Sequence, residues 1–148
     1  MKLIASLPES NTLVHGDFHT GNVFLHQGEP LLIDLDRIST GHPIAEISDL
    51  YYAYVVLGED DPSVIENYMG FSYQTSTQFF DCFLKHYLHT EDESKIREVK
   101  EKAAILCSSR LIHRAYKKSE LTEADRAVIA RNVKRISDLS AKHDSLTF

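Results

Sequence analysis

The segment His15–Asn22, HGDFHTGN, concentrates side chains that can do chemistry into one short stretch. It holds two histidines, a carboxylate, an amide and two glycines, and apolar residues flank it. Asp17 can accept a proton from a reacting hydroxyl. The oxygens of Asn22 and of Asp34, further along the chain, are of the type that Mg²⁺ prefers as ligands. A base and a metal site are most of what phosphoryl transfer requires from a protein, so this chemistry is the first to consider.

The spacing of these residues strengthens that interpretation. In protein kinases the catalytic loop reads H-x-D, and an asparagine follows five residues after the aspartate. His15, Asp17 and Asn22 reproduce this order and spacing. A metal-binding aspartate at the end of a short strand then follows in the kinases, and Asp34 occupies that place here. The set predicts a phosphoryl-transfer site.

Two further segments extend the pattern into a family resemblance. They are IDLD (Ile33–Asp36) and GHPIAEISDL (Gly41–Leu50). With the HGDFHTGN segment they resemble the C-terminal lobe of the aminoglycoside phosphotransferase and choline kinase superfamily, which contains protein-kinase-like small-molecule kinases. The last segment is similar to the family's G-D-P-x-x-D-L segment, with His42 in place of the usual aspartate. The resemblance is strong over residues 10–57.

The resemblance implies a role for each matching residue. Asp17 would be the catalytic base, and Asn22 and Asp34 would bind Mg²⁺. His15 would brace the catalytic loop through hydrogen bonds. Asp49 would cap the loop backbone from the next helix, which would make its role structural.

For two other residues of the same motifs, Asp36 and His19, the expected roles are less specific. Asp36 resembles the second acid of the family's I-D-x-[DE] motif, near metal and substrate. His19 is expected either to contact substrate or phosphate or to make a local hydrogen bond. The resemblance implies ATP as the phosphoryl donor, with GTP not excluded. The acidic residues of the site, including Asp17 and Asp34, suit a hydroxylated or cationic small molecule as the acceptor.

Periodicity predicts the elements that must position these residues. Val23–Ile33 is typical of a β-hairpin, with a turn at Gln27–Pro30 and a short buried strand at Leu31–Ile33. Apolar residues then recur at spacings of three and four, which predicts helices. Thr122 is the expected N-cap of the last one. The fold class is α+β and mainly helical: a kinase-like C-lobe, with the hairpin followed by four to five helices at Ile44–Val55, Pro62–Met69, Thr75–Leu88, Glu93–Tyr116 and Leu121–Leu139.

The kinase pattern is incomplete at its N-terminal side. Only 14 residues precede His15, Lys2 is the only lysine among them, and no G-x-G-x-x-G segment occurs. We therefore expect residues 1–148 to form a single domain, the C-terminal lobe, without the nucleotide-binding N-terminal lobe. The sequence leaves open whether the chain is an enzyme. The family resemblance favours a phosphotransferase whose activity, as this chain alone, is weak or absent. Such a lobe would expose the surface that an N-lobe normally covers. We therefore expect a homo-oligomer or a partner protein to cover this surface.

Two other functions compete with a phosphotransferase. The first is a non-catalytic C-lobe that serves as a binding or interaction module and keeps the motifs as scaffold. The second is a metallohydrolase in which His15, Asp17 and His19 bind a transition metal. The glycines in this segment favour a loop over the strand that would align those three side chains, and no fourth ligand is evident.

Composition narrows the class of partner. The 148 residues carry a formal net charge of −6, which argues against nucleic acid or an anionic membrane as the main partner. No apolar run approaches the ~20 residues that a membrane-spanning helix requires. Cys82 and Cys107 lie outside any CxxC pattern, so we expect free thiols in the reducing cytoplasm.

Overall fold

A computed structural model describes residues 2–148, and most of these residues are helical. The short strands lie in the N-terminal part of the chain and pair into two separate two-stranded sheets. Within residues 2–148, three short 3-10 helices, at Thr20–Asn22, Leu35–Arg37 and Val56–Gly58, connect the longer elements. Along the described chain the order is α1 (Lys2–Ala5), β1 (Leu13–Val14), β2 (Val23–His26), β3 (Glu29–Leu32), β4 (Ser39–Thr40), α2 (Ile44–Tyr54), α3 (Ser63–Met69), α4 (Tyr73–Leu88), α5 (Glu93–Tyr116) and α6 (Glu123–Ser140).

The predicted hairpin is confirmed. Strands β2 and β3 are antiparallel, with Val23 opposite Leu32 at the open end. Gln27 and Gly28 form the turn, and both have positive φ, 53° and 86°. Such a two-residue turn matches the natural twist of the strands that it joins. Pro30, which we placed in the turn, instead belongs to β3.

The prediction of a buried strand at Leu31–Ile33 was wrong. Both strands of the hairpin are exposed along most of their length, because no helix in residues 2–148 makes extensive contact with this sheet. Several large apolar side chains near it are therefore exposed. We call this set the apolar hairpin surface: Leu13, Phe24, Leu25, Leu31, Leu32, Ile33, Leu35 and Ile38.

The hydrophobic core lies among the helices. Helix α5 packs against both α2 and α6, and α4 packs against α2. The apolar stripe predicted for α2 is confirmed, since all its members are buried. From α2 and the residue after it the core takes Ile44, Ile47, Leu50, Tyr51, Tyr54 and Val55, from α4 Phe80 and Leu84, and from α5 Ile96, Val99, Ala103, Ala104, Leu106 and Cys107.

Helix ends are fixed by side chains that accept backbone hydrogen bonds. Thr122 is the N-cap of α6, as predicted, and forms a reciprocal capping box with Asp125. At the start of α2, Nδ1 of His42 accepts a hydrogen bond from the amide of Ile44 at 3.2 Å. Burial lowers the pKa of His42, which favours the neutral imidazole with a free lone pair. His42 can therefore hold the start of α2 through this hydrogen bond.

The structure also bears on the predicted state of the cysteines and on the predicted lack of a membrane-spanning helix. Cys82 is exposed and Cys107 is buried, and both are free thiols, as the sequence predicted. None of the helices within residues 2–148 combines the length and the apolar character needed to cross a membrane.

Candidate active site

Helix α2 holds the start of the segment His15–Asn22, which we call the polar loop. The carboxylate of Glu46 accepts two hydrogen bonds, from the amide of His15 at 3.2 Å and from the amide of Gly16 at 3.0 Å. A carboxylate that accepts from backbone amides makes a charge-assisted bond, stronger than one between neutral groups. The loop therefore has its entry fixed to the first turn of α2.

This finding corrects the role expected for Asp49. The structure gives the capping of the loop backbone to Glu46, whereas Asp49 pairs with Arg110 on α5. Asp49 lies three residues further along α2, which places its carboxylate about one turn away from the loop. A signal for Glu46 was present in the sequence, because it stands three residues after Pro43, where the motif G-D-P-x-x-D-L has its second acid.

His15 connects the polar loop to the end of β3. Its ring is buried, with Nε2 2.9 Å from the carbonyl oxygen of Ile33. Its Nδ1 accepts a hydrogen bond from the amide of Asp17 at 3.3 Å. In this tautomer Nε2 donates to Ile33, the residue directly before Asp34. One imidazole thus spans the two segments that carry Asp17 and Asp34.

Tyr54 fixes the far side of the loop, a role that the sequence did not reveal. The tyrosine is fully buried and belongs to the apolar stripe of α2. Its hydroxyl group accepts a hydrogen bond from the amide of Thr20 at 2.8 Å, and its O–H donates to Oγ1 of Thr20 at 3.1 Å. Periodicity marks Tyr54 as a core residue, but it cannot show where a hydroxyl at the end of the ring points.

Gly16 allows the loop to pass close to the residues after β3. Its φ is +79°, and a Cβ at this position would lie 2.6 Å from the carbonyl oxygen of Arg37. Both features require glycine, since L-residues with a side chain avoid this backbone region and a contact of that length is repulsive. The close approach also brings Arg37 to Asp17, with Nη1 and Oδ2 3.7 Å apart and both side chains largely exposed.

The register of the hairpin brings Asn22 near Asp34. Val23 is paired with Leu32, so the residues just outside the two strands face each other at the open end. The amide of Ile33 donates to the carbonyl of Asn22 at 3.0 Å, which continues this pairing by one step. The Asn22 side chain is buried and its Nδ2 donates to the carbonyl of Asp17 at 2.9 Å. The two residues predicted to bind Mg²⁺ therefore lie at the same end of the hairpin.

Negative charge accumulates at this end of the hairpin. The pKa of Asp34 is raised, first because its carboxyl shares a hydrogen bond with Asp36, and further because the charges of Asp36 and Asp17 are near. Asp34 itself has a φ of +61°, a conformation that aspartate and asparagine tolerate better than most residues. A divalent cation would relieve this repulsion.

The donor set fits Mg²⁺ in type. Among residues 2–148, no group of three or more His, Cys, Asp or Glu side chains is arranged to hold a metal unaided. Mg²⁺ does not require such a cage, because it is bound by one or two carboxylates together with water and substrate phosphates. Asp34 supplies a carboxylate and Asn22 an amide oxygen, and these are the groups that could hold it.

Asp17 lies on the wall of a cavity of about 420 Å³, within the size range of small-molecule sites. The other side of this cavity comes from the end of α2, from α3 and from α5. His19 also lines it, while its Nδ1 accepts a hydrogen bond from the amide of Gly21 at 3.0 Å. The local hydrogen bond expected for His19 is thus present, and the residue still borders the same space as Asp17. The remaining lining includes Arg37, Asp49, Tyr52, Tyr68, Met69 and Arg114.

The arrangement does not support a transition-metal site in the loop. Both ring nitrogens of His15 make hydrogen bonds within the chain, so neither has a lone pair directed at a metal beside Asp17. His15 is therefore not available as a metal ligand, which argues against the metallohydrolase alternative.

Comparison with known proteins gives one match. The model of a family described as "phosphotransferase enzyme family" matches residues 2–75, half of the chain, including the polar loop, the hairpin and α2. No curated protein and no solved structure matches the chain.

Removal of the Glu46 carboxylate tests its hold on the loop. We expect Glu46→Ala to lower the free energy of unfolding by about 2 kcal/mol, because two half-buried amides lose their acceptor. Asp49→Ala removes an exposed ion pair and is expected to cost at most about 1 kcal/mol. Chemical denaturation measures both values, and hydrogen exchange should accelerate at His15 and Gly16 only in the Glu46 variant. Equal effects of the two substitutions would contradict this assignment.

The close approach at Gly16 is tested by Gly16→Ala, with Gly70→Ala as the matched control. Gly70 has nearly the same φ, +78°, but nothing lies within 4 Å of a Cβ there. Both variants place alanine at an unfavourable φ, which costs about 1–2 kcal/mol. Gly16→Ala should cost roughly 1–3 kcal/mol more, because its Cβ meets the Arg37 carbonyl. Equal losses in denaturation experiments would show that the backbone there moves freely.

Proposed function

We propose that this chain, which belongs to the phosphotransferase enzyme family, transfers the terminal phosphoryl group of ATP to a hydroxyl group of a small molecule. The observation that carries the proposal is the placement of Asp17. Its carboxylate borders a cavity of about 420 Å³, and the same loop presents Asn22 beside Asp34 at the end of the hairpin. A base that faces an acceptor cavity and adjoins a potential metal site is the arrangement that phosphoryl transfer needs.

The proposed reaction assigns one step to Asp17. The acceptor hydroxyl oxygen attacks the γ-phosphorus of ATP, its proton passes to the Asp17 carboxylate, and the bond to the β–γ bridging oxygen breaks to release ADP. Arg37 lies beside this carboxylate, with its Nη1 3.7 Å from Oδ2 of Asp17. Asn22 and Asp34 would hold Mg²⁺, which neutralises charge on the phosphates when bound. GTP is an alternative donor with the same chemistry.

The other residues of the site act by position. Glu46, His15 and Tyr54 hold the polar loop through the hydrogen bonds described above. Rigid support of this kind matters because a base misplaced by about 1 Å loses much of its effect. The structure corresponds in this proposal to a kinase-like C-terminal lobe. A cytoplasmic setting, in which ATP is abundant, is consistent with the two free thiols.

We further propose that the apolar hairpin surface is an association surface. It combines exposed side chains from β2, β3 and the segments beside them with a cavity of about 290 Å³, lined by Leu13, Leu32, Ile38, Phe83 and Tyr87 among others. Exposed apolar side chains grouped in this way are typical of protein contacts. A second copy of the chain or a partner protein would cover it.

Binding of ATP and Mg²⁺ is the first test of the phosphotransferase proposal. The 148 residues contain no G-x-G-x-x-G segment, so we expect weak turnover and make calorimetric binding the primary readout. Asp34→Asn keeps the shape and the backbone conformation but removes a charge, and it should weaken binding by at least about tenfold. Asp17→Asn should leave binding intact and reduce turnover by about 10²–10⁴-fold.

The control for that experiment is Glu29→Gln, which removes another exposed carboxylate from the same hairpin. It should bind as the unaltered chain does. Absence of binding at millimolar ATP would contradict the proposal and favour a non-catalytic module that keeps the motifs as scaffold.

Association through the hairpin surface is tested by sedimentation. Leu31→Glu should shift the chain from a concentration-dependent oligomer toward the monomer. Val133→Glu on α6 is the matched control, since Val133 and Leu31 are 51% and 52% exposed, and it should sediment as the unaltered chain. A chain that stays monomeric at high concentration before any substitution would overturn self-association.

A further inference from the structure

The C-terminal half of α5 carries an unusual concentration of positive charge for this chain. The formal net charge of the whole is −6, yet residues 102–119 contain no Asp or Glu. Arg110, Arg114 and Lys117 are spaced by four and three residues, which puts them on the same face of the helix. Basic residues in the last turn of a helix also interact favourably with the helix dipole. The dipole, however, does not explain why these three residues share one face of α5.

This face borders the cavity that contains Asp17. A second cleft, of about 840 Å³, is lined by Arg110, Arg114 and Lys117. It shares Arg37, Asp49 and Arg114 with the Asp17 cavity. The two spaces are therefore adjacent, with Asp17 lining one and the basic face of α5 lining the other. We call the combined space the acceptor groove.

The basic side chains along the acceptor groove differ in whether they already pair with a carboxylate of the chain. Arg110 is committed to Asp49 and to Ser48 and the carbonyl of Ala45 on α2. Arg37 lies beside Asp17. By contrast, neither Arg114 nor Lys117 forms an ion pair with any carboxylate among residues 2–148.

Arg114 is also held in place. Its guanidinium lies over the ring of Tyr52, with the Cζ atom 5.5 Å from the ring centroid. Stacking of this kind orients a guanidinium and leaves its N–H groups directed outward. An oriented arginine without a carboxylate partner is a suitable binding group for a carboxylate or phosphate.

We propose that the acceptor groove selects a small hydroxylated molecule with an anionic group, whose carboxylate or phosphate is bound by Arg114 with Lys117 while its hydroxyl lies at Asp17. The inference rests on the proposed phosphotransferase function for the role of Asp17, but binding of the anionic group does not require turnover. It differs from the hydroxylated or cationic acceptor that the acidic residues of the sequence suggested. The nucleotide phosphates are the other possible source of an anion, and the test separates them.

The test uses four polyols of the same carbon chain and the complete 148-residue chain, without ATP or Mg²⁺. Gluconate and glucitol 6-phosphate carry an anionic group, glucitol is neutral and glucamine is cationic. Titration is followed by the amide NMR signals of residues 15–19 and 110–117. At least one of the two anionic compounds should bind at least about tenfold more tightly than glucitol, and glucamine should bind no better than glucitol.

Arg114→Gln should remove that advantage, whereas Arg126→Gln, at an exposed arginine of α6 outside the groove, should not. Mg²⁺–ATP affinity should be the same in both variants. Equal binding of all four compounds, or saturable binding of none, would overturn the proposal. So would a loss of ATP binding in Arg114→Gln with anion preference unchanged, because the nucleotide would then be the ligand of Arg114. Anion binding by a chain that fails to bind ATP would support the groove while contradicting the phosphotransferase function.

Discussion

The double hydrogen bond from the amides of His15 and Gly16 to the Glu46 carboxylate is the interaction on which the site depends. Backbone amides in a loop need partners once they are removed from water, and here a single side chain of the core helix provides both. Because Glu46 projects from the same helix that fills the hydrophobic core, the stability of the core is transmitted directly to the loop that carries Asp17. Tyr54, two turns later on that helix, holds the opposite end of the loop.

The second constraint is the close passage of two backbone segments. Gly16 lies against the carbonyl of Arg37, and His15 binds the carbonyl of Ile33. These contacts bring together segments about twenty residues apart in sequence. As a result, Asp17, Asp34 and Asp36 lie close together, and the hydrogen bond with Asp36, together with the charges of Asp36 and Asp17, raises the pKa of Asp34. The concentration of carboxylates is costly without a cation, which is a physical reason to look for Mg²⁺ there.

Two parts of the surface carry side chains that lack the partners expected for their chemistry. On the hairpin side, apolar residues that the sequence predicted to be buried are exposed. On the α5 side, Arg114 and Lys117 have no acidic partner in the described part of the chain. The first feature favours another polypeptide and the second favours a small anion. Residues of the polar loop line cavities on both sides: His15 and Phe18 border the cavity at the hairpin, and Asp17 borders the acceptor groove.

The sequence by itself determined the set of candidate site residues, the hairpin and the helices, because these depend on local spacing: five residues from Asp17 to Asn22, and steps of three and four along α2. It also carried enough information to name Glu46, through its distance from Pro43. Tertiary structure alone decided that the Glu46 carboxylate reaches the loop while Asp49 reaches Arg110, since both acids lie on one helix and only its packing shows what each faces. The same holds for the exposure of Leu31 and for the groove at Arg114, because burial and charge pairing arise between elements that are distant in sequence.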